Sequence, residues 1–488
     1  MLYPIFVLME SSKYETVIGL EVHAQLLTQT KLFSGDPIYF GANPNTQVSP
    51  ISLAHPGTLP KTNANVIDLA IKLGIACNCE IVQKNYFARK NYFYADLPKG
   101  YQISQHTTPI CKGGNVLIEV NGRQKNVQLN RIHIEEDAGK SIHDMYEDRT
   151  CIDLNRAGTP LLEIVTEPCL HSADEAFEYV TTLRKLVRWL DVCDGNMEEG
   201  SLRCDANISI RLKGETALGT KVEIKNLNSI RNIKRAIDAE VKRMIQLVEN
   251  GETITQQTRT YDVGLDCTLP IRDKEDANDY RYFADPDLTA FHISKTHIDA
   301  IKSSMPILPN ELIEQFKKDY QLSDYDAQQL CDEKSIADFF IKAAAQTKHY
   351  KALANFILGP IKQYLNENNI SLKEQDISVE HLVNLIQMID EGQVNFSVAS
   401  SKILPIIIKE NKPPLAIASS LNLIQVSDGN ELDQWVNEVL AKMPEKVVEY
   451  KKGKKGLIGL FVGEVKKLSK GKADPKVVTQ ILEQKLSN

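Results

Sequence analysis

Glu21-Val-His23 sets a carboxylate and an imidazole two residues apart, and Asp205-Ala-Asn207 and Glu223-Ile-Lys225 repeat the spacing with an acid at the head of each. In an extended chain, residues two apart leave the same face. Each triplet would therefore present both polar groups to one side. Acids with a His and an Asn are ligand types for a hard divalent cation, and Arg203 and Lys225 add cations to the same stretches.

The elements that must position these groups are four runs of strict alternation: Val17–Leu26, Arg131–Asp137, Leu202–Arg211 and Lys221–Asn226. That period predicts half-buried strands. In the first, Ile18, Leu20, Val22, Ala24 and Leu26 share one face, with Glu21, His23 and Gln25 on the other. In the third, Leu202, Cys204, Ala206, Ile208 and Ile210 point inward. Arg203, Asp205, Asn207, Ser209 and Arg211 point outward. In the second, alternation puts Glu135 with Arg131 and His133 on the polar face. An antiparallel sheet with one solvated face would give the same pattern with no chemistry. Composition argues against that bland reading, because Asp and Asn are depleted in strands and here Asp205 and Asn207 sit mid-run.

A chain of 488 residues with 42% hydrophobic content can bury a large core and should divide into several domains. The apolar stretch at residues 3–9 is too short to span a membrane and lacks a basic flank and a cleavage site. Nine cysteines, an odd number without framework spacing, fit free thiols in a reducing cytoplasm. The net charge of −7 excludes a wholly basic nucleic-acid coat, yet from Lys451 to Lys476 nine lysines stand against two acids. A local field of that sign attracts phosphates, although a solubilising charge run has the same composition.

Up to about residue 300, Gly, Pro and Asn punctuate short strand patterns, and Asn121-Gly122 reads as a tight hairpin turn. Helical periodicity appears at Ala64–Leu73, Ala173–Trp189 and Ile230–Leu247. The fold class expected is α+β: an N-terminal domain on an antiparallel or mixed sheet (1–305), a helical connector (306–411) and a small helical tail (412–488). Pro306 and Pro309 mark the first boundary, Lys412-Pro413-Pro414 the second. In the tail, Leu432–Leu440, Leu457–Leu468 and Lys476–Leu486 are the clearest helices.

Eight motifs, taken in order, resemble the B subunit of the glutamyl-tRNA(Gln)/aspartyl-tRNA(Asn) amidotransferase, the GatB family. They begin at Tyr14–His23, Arg89-Lys-Asn-Tyr-Phe-Tyr94 and Tyr101–Gln105. Glu135-Glu-Asp-Ala-Gly-Lys140, Asp153–Glu163 and Met197–Asn207 follow, then Lys225–Ser229 and Asp279-Tyr-Arg-Tyr-Phe283. The resemblance implies a cradle-shaped catalytic domain and a YqeY-like tail. It implies a heterotrimer with an amidase subunit (GatA) and a small subunit (GatC), acting on tRNA(Gln) and/or tRNA(Asn), with no DNA or membrane partner.

The implied activity is ATP-dependent phosphorylation of the misacylated side-chain carboxylate, then amidation with ammonia from the partner. Oxide is a poor leaving group, so a carboxylate must become an acyl phosphate before ammonia can displace anything. Phosphoryl transfer needs positioning and metal charge, so Mg²⁺ and ATP are expected. Motif matching puts His23, Glu136 and Glu223 at the metal and phosphate site, with Glu21 and Asp205 as further ligands or as outer partners of the ligands. Alternation favours Glu135 over Glu136, so both are carried. Arg203 and Lys225 would stabilise the transition state, and Arg156 and Asn207 would contact substrate or phosphate. Asn155-Arg-Ala-Gly158 reads as a turn. In the tail, Lys451, Lys452, Lys454 and Lys455 would grip tRNA by its phosphates.

Many members of the family carry a zinc knuckle, Cys-x-Cys followed by Cys-Pro-x-Cys. Here the equivalent stretches are Ser34-Gly-Asp36 and Ser49-Pro-Ile-Ser52, hydroxyls and one carboxylate that cannot build a thiolate site, so no zinc is expected. Cys77-Asn-Cys79 has no matching second pair. No glutaminase signature and no Walker-type phosphate loop is legible. The rival reading is a non-catalytic tRNA-binding scaffold, which leaves the mid-strand acids unexplained.

Overall fold

The computed structural model describes residues 13–273, 280–424, 429–469 and 473–487. Residues 3–9, Asp279, Lys470 and Lys472 lie outside them. The chain forms two compact units, divided at Leu308/Pro309.

The strands of the first unit that bear on function are β1 (Tyr14–Gln25), β2 (Glu80–Ile81), β3 (Ala88–Asn91), β4 (Tyr101–Ser104), β5 (Cys111–Lys112), β6 (Asn115–Val120), β7 (Arg123–Glu136), β8 (Pro160–Thr166), β9 (Leu202–Leu212), β10 (Val222–Leu227), β11 (Gln257–Asp262), β12 (Cys267–Asp273) and β13 (Phe283–Ala284). A ten-stranded sheet runs β12-β11-β10-β9-β1-β8-β7-β5-β2, with β6 also on β7. Its pairs are antiparallel except β10-β11, which is parallel. The sheet is therefore mixed. A parallel pair needs a crossover, and the helix Ile230–Glu249 lies between β10 and β11 in the chain. The four alternating runs are β1, the end of β7, β9 and β10. Asn121 (φ 52°) and Gly122 (φ 74°) make the hairpin turn between β6 and β7, the left-handed pair that such a turn requires.

Three helices, α1 (Ala64–Ala76), α2 (Ala173–Trp189) and α3 (Ile230–Glu249), belong to the same core as the apolar side of the sheet. Ser172 and Ser229 cap α2 and α3 by accepting from the N–H groups of Glu175 and Asn232. Leu20, Val22 and Ala24 of β1 and Cys204, Ala206 and Ile208 of β9 are fully buried there. Burying a leucine- or valine-sized side chain stabilises by ~1.5–3 kcal/mol. With one face committed to this core, the polar residues must share the other. A separate small sheet, β13-β3-β4, is also part of this unit.

The second unit is helical from Pro309–Asp319 onward. Two π-helical turns, Ile357–Ile361 and Ala399–Ile403, interrupt it, the first around Pro360, whose missing N–H loosens the α ladder. Near the C-terminus, Gly429–Lys442, Pro444–Lys451, Ile458–Leu468 and Pro475–Ser487 enclose Leu432, Val436, Phe461, Val465, Val478 and Leu482. Sequence periodicity missed Pro444–Lys451, a short helix of mostly polar residues. Among the described residues no helix is long and apolar enough to cross a membrane.

Candidate metal and phosphate site

Antiparallel register brings one row of side chains across four strands: Arg203 (β9) opposite His23 (β1), His23 opposite Glu163 (β8), and Glu163 opposite His133 (β7). Glu135, two residues beyond His133, leaves the same side of β7. The His23 Nε2 atom lies 3.7 Å from Glu135 Oε1 and 3.5 Å from Glu163 Oε2. His133 Nε2 lies 3.5 Å from Glu135 Oε2 and 3.2 Å from Glu163 Oε2. Two carboxylates and two imidazoles thus converge where little water reaches, with His23 the most open at 18% side-chain exposure.

Electrostatics follow from that crowding. Burial works against protonating His23 and His133, but the Glu163 and Glu135 carboxylates overcome it, raising His23 and pushing His133 up to about 9. Burial would also raise Glu163, yet the imidazoles hold it well below the usual carboxylate range. Glu21 is raised, first by burial and then by Glu163, and accepts a hydrogen bond from Asn207 Nδ2 at 2.9 Å.

His23, Glu135 and Glu163 offer ligand atoms within 4.8 Å of one another. This donor set fits a hard divalent cation that keeps several waters, because two carboxylates and one nitrogen leave positions open. His133, with its Nε2 against both acids, would orient them from behind, as outer partners of metal ligands do.

Glu21, bonded by Asn207, and Asp205, paired with Lys225, do not join this group, and two further expected ligands also fall outside it. Glu136 leaves the opposite side of β7 from Glu135, accepts the Ile103 N–H at 2.8 Å and pairs with Lys99. It lines a pocket of about 290 Å³ with Lys31, Ser52, His55, Lys99 and Gly158. Burial lowers the Lys31 ammonium there to about 8. Glu223 faces Asn207 across β9-β10, four residues from the Arg203–His23 row, or ~13 Å along the strand. Its Oε2 accepts from Thr258 at 3.0 Å, and Lys225 Nζ sits between Glu223 (3.1 Å) and Asp205 (3.3 Å). Those two acids raise Lys225 against the effect of burial. Arg203 and Arg156 both turn to Asp137, at 2.9 and 3.5 Å. Burial raises Asp137, but the two guanidiniums and Gln25 bring it below its ordinary value. Arg156 also donates to the carbonyls of Ala138 and Gly139, and Gly158, at φ +86°, makes the turn behind it.

Glu163 and His133 are the residues that sequence reasoning left out of the site. Glu163 interrupts the apolar run Pro160–Val165, and a charge inside such a run was a legible signal. His133-Ile-Glu135 also mirrors Glu21-Val-His23.

At the knuckle positions, Asp36 Oδ2 accepts from Ser34 Oγ (3.0 Å), from the Ser49 N–H (2.9 Å) and from Ser52 Oγ. The Ser34 and Ser52 hydroxyls are 3.1 Å apart. Three neutral hydroxyls and one carboxylate already engaged with its neighbours do not fit zinc, which takes thiolates and imidazoles. In the second unit Lys451, Lys452, Lys454 and Lys455 are exposed, with Lys454 3.1 Å from Glu449 and Lys455 over the Tyr450 ring at 4.3 Å.

Residues 16–299 match the family model described as the GatB/GatE catalytic domain, and residues 338–486 match the GatB domain. The chain is similar to the aspartyl/glutamyl-tRNA(Asn/Gln) amidotransferase B subunit of Thermodesulfovibrio yellowstonii, at 46% identity over 96% of this chain and 98% of that protein. It is likewise similar to the proteins of the same name from Bdellovibrio bacteriovorus (45% identity, 98% and 100% covered) and a Janthinobacterium strain (47%, 97% and 100%).

Proposed function

Given that the chain belongs to the GatB family of tRNA-dependent amidotransferase B subunits, we propose that its polar sheet face activates and amidates the side-chain carboxylate of Glu-tRNA(Gln) and/or Asp-tRNA(Asn). The observation that carries this reading is the convergence of His23, Glu135 and Glu163, backed by His133, on the one face not used for the core.

The chemistry has two steps. A carboxylate oxygen of the substrate attacks the γ-phosphorus of ATP and ADP leaves, giving an acyl phosphate. Ammonia then attacks the acyl carbon, phosphate leaves with the C–O electron pair, and the amide forms after loss of a proton. A divalent cation such as Mg²⁺, held by His23, Glu135 and Glu163, would neutralise charge along the phosphates. The chain's own side chains fix and screen the reacting groups. His133 orients the two acids, Asn207 holds Glu21, Asp137 pairs with Arg203 and Arg156, and the Ala138 and Gly139 carbonyls hold the Arg156 guanidinium. The two guanidiniums would meet phosphate oxygens, and Lys225 would do so beside Asp205.

Ammonia must be supplied by a partner, which we take to be an amidase subunit, GatA, with a small subunit, GatC. Nine free thiols suit a cytoplasmic setting. The exposed lysines 451, 452, 454 and 455 would hold tRNA phosphates. Replacing Lys454 and Lys455 together by alanine should weaken tRNA binding and reduce its salt slope by ~0.7–0.9 for each phosphate no longer neutralised. An unchanged slope removes those lysines from the interface.

The central test supplies the complex with ammonium chloride, which bypasses any partner glutaminase, and measures ATP hydrolysis and Gln-tRNA formation. Glu163→Gln should lower both by ~100-fold or more, beyond the loss of an outer partner. If both persist at the wild-type rate, the acidic face is structural and the scaffold reading replaces this one.

A further inference from the structure

Two of the sequence motifs take no part in the chemistry described above, yet the fold brings them together. Arg89–Tyr94 includes the end of β3, and Tyr280–Phe283 leads into β13, which pairs with β3. Asn91 ties them, its N–H bonding the Tyr280 carbonyl at 2.9 Å and its Nδ2 the Arg281 carbonyl at 2.8 Å. The result is a row of rings, Tyr94, Tyr92, Tyr280, Tyr282 and His106, each centroid 4.1–6.1 Å from the next. Lys90 lies over Tyr280 at 4.9 Å and Tyr92 at 5.7 Å, and Arg89 over Tyr101 at 4.2 Å. One end is open to solvent, with Phe93 87% and Tyr94 58% exposed. Next to that end the row passes the acid group: the Tyr92 hydroxyl reaches Gln102, whose Nε2 donates to the Glu136 carbonyl next to Glu135, while His106, at the far end, is exposed. The fields of Glu135 and Glu163 are also felt at Lys90 and Tyr282.

Rings interleaved with cations are what a single-stranded nucleic acid meets when its bases stack and its phosphates are neutralised in passing. One adenine would need one ring, whereas this row presents several side by side along the acids, between the exposed Tyr94 and the exposed His106. Resting on the amidotransferase reading, we propose that the ring row formed by residues 90–94, 106 and 280–282 is the stacking path for the single-stranded 3′ end of the aminoacyl-tRNA, guiding its terminal nucleotides toward His23, Glu135 and Glu163. Lys90 accompanies the backbone along it.

The test uses the assembled complex and compares the affinity of intact tRNA(Gln) with that of tRNA(Gln) lacking its three 3′-terminal nucleotides. Wild type should prefer the intact molecule about tenfold, the scale of one well-stacked base. Tyr282→Ala should erase most of that preference and Tyr282→Phe keep it. Tyr94→Ala, at a largely exposed ring, should reduce it without threatening the fold, and it carries the test if Tyr282→Ala does not fold. Retention of the full preference in Tyr94→Ala and Tyr282→Ala, or its absence in wild type, overturns the proposal. So does weakened ATP binding in Tyr282→Ala with the tRNA preference intact, which would assign the ring to the nucleotide. The preference is read without turnover. A wild-type complex that fails to amidate with ammonium therefore defeats the amidotransferase reading alone, while an active complex with an indifferent ring row defeats only this one.

Discussion

The first unit contains two places where distant polar side chains close on a carboxylate, and they are chemically opposite. On the sheet, Glu135 and Glu163 are compensated by His23 and His133, groups that carry charge only while protonated. In the loop, Asp36 is compensated by Ser34, Ser52 and the Ser49 N–H, neutral donors that cannot leave. The loop is a hydrogen-bond knot around a single carboxylate. The sheet group holds two anions in a poorly hydrated place with replaceable counter-charge, and a buried charge must be paired or bound to metal. Convergence of polar groups alone does not mark a candidate metal site; what distinguishes the sheet group is a pair of buried anions whose counter-charge can give way.

If this contrast is right, substitutions at the two places should separate cleanly. The largest effect belongs to Glu163→Gln, which keeps shape and removes charge. We expect ATP hydrolysis and amidation to fall by ~100-fold or more, beyond the 10–100-fold typical of an outer partner. Asp36→Asn should leave both rates near wild type when measured side by side with ammonium chloride. A comparable loss in Asp36→Asn would erase the distinction.

His133→Gln tests whether the second imidazole is an outer partner or a ligand. A partner's loss should cost ~10–100-fold in activity at limiting Mg²⁺, with much of it recovered as Mg²⁺ is raised. Titrating Mg²⁺ against rate reads this directly. A defect that no Mg²⁺ concentration relieves would place His133 in the binding set itself.

Much of the sheet group was legible in the chain. Alternation in β1 and β9 fixed which side His23, Glu21, Arg203 and Asp205 would take, and alternation in β7 chose Glu135 against Glu136. The structure sends Glu136 to the Ile103 N–H and Lys99 for the same reason, since neighbours on a strand face opposite ways. What alternation does not carry is register. Glu223 shares the polar side with His23, yet pairing places it opposite Asn207, too far along the sheet to meet the same cation. Glu163 escaped for a different reason: β8 is a central strand between β1 and β7, and its near-continuous apolar run shows the one acid as an interruption without the alternation that would assign it to a face. The domain ends drawn at 305 and 411 rest on prolines, whereas the compact units divide at Leu308/Pro309.

A smaller effect should appear in the loop as stability rather than rate. Burial raises the Asp36 carboxyl, but the hydrogen bonds from Ser52, Ser49 and Ser34 outweigh it and leave it below its ordinary value. A carboxyl lower in the folded state than in the unfolded one stabilises above the unfolded pKa, near ~3.9, and that contribution is lost as pH falls through the folded value. Asp36→Ala should therefore lower the melting temperature at pH 7 by a few degrees, matching ~1–3 kcal/mol for a broken network of charged hydrogen bonds. The gap to wild type should narrow as pH drops below 4. A gap of constant size would mean the charge of Asp36 is not what the serines hold.

The finest test asks whether the loop is a knuckle whose metal has been replaced by a carboxylate. The Ser34 and Ser52 side chains and the Ser49 N–H already meet at one Asp36 oxygen, so cysteines at the four positions would start from neighbouring sites on one loop. The variant Ser34→Cys/Asp36→Cys/Ser49→Cys/Ser52→Cys should bind one zinc per chain. Thiolate coordination would recover the stability lost in Asp36→Ala, with amidation rates close to wild type. Metal content and melting temperature, with and without chelator, would read it. In wild type the chelator should stop ATP turnover, restored by Mg²⁺, while the loop's share of the melting temperature stays in place. A four-cysteine variant that binds no zinc would show that the loop positions converge only through the bonds Asp36 itself makes. The knot would then be a different solution to closing the loop rather than a substitution at a shared geometry.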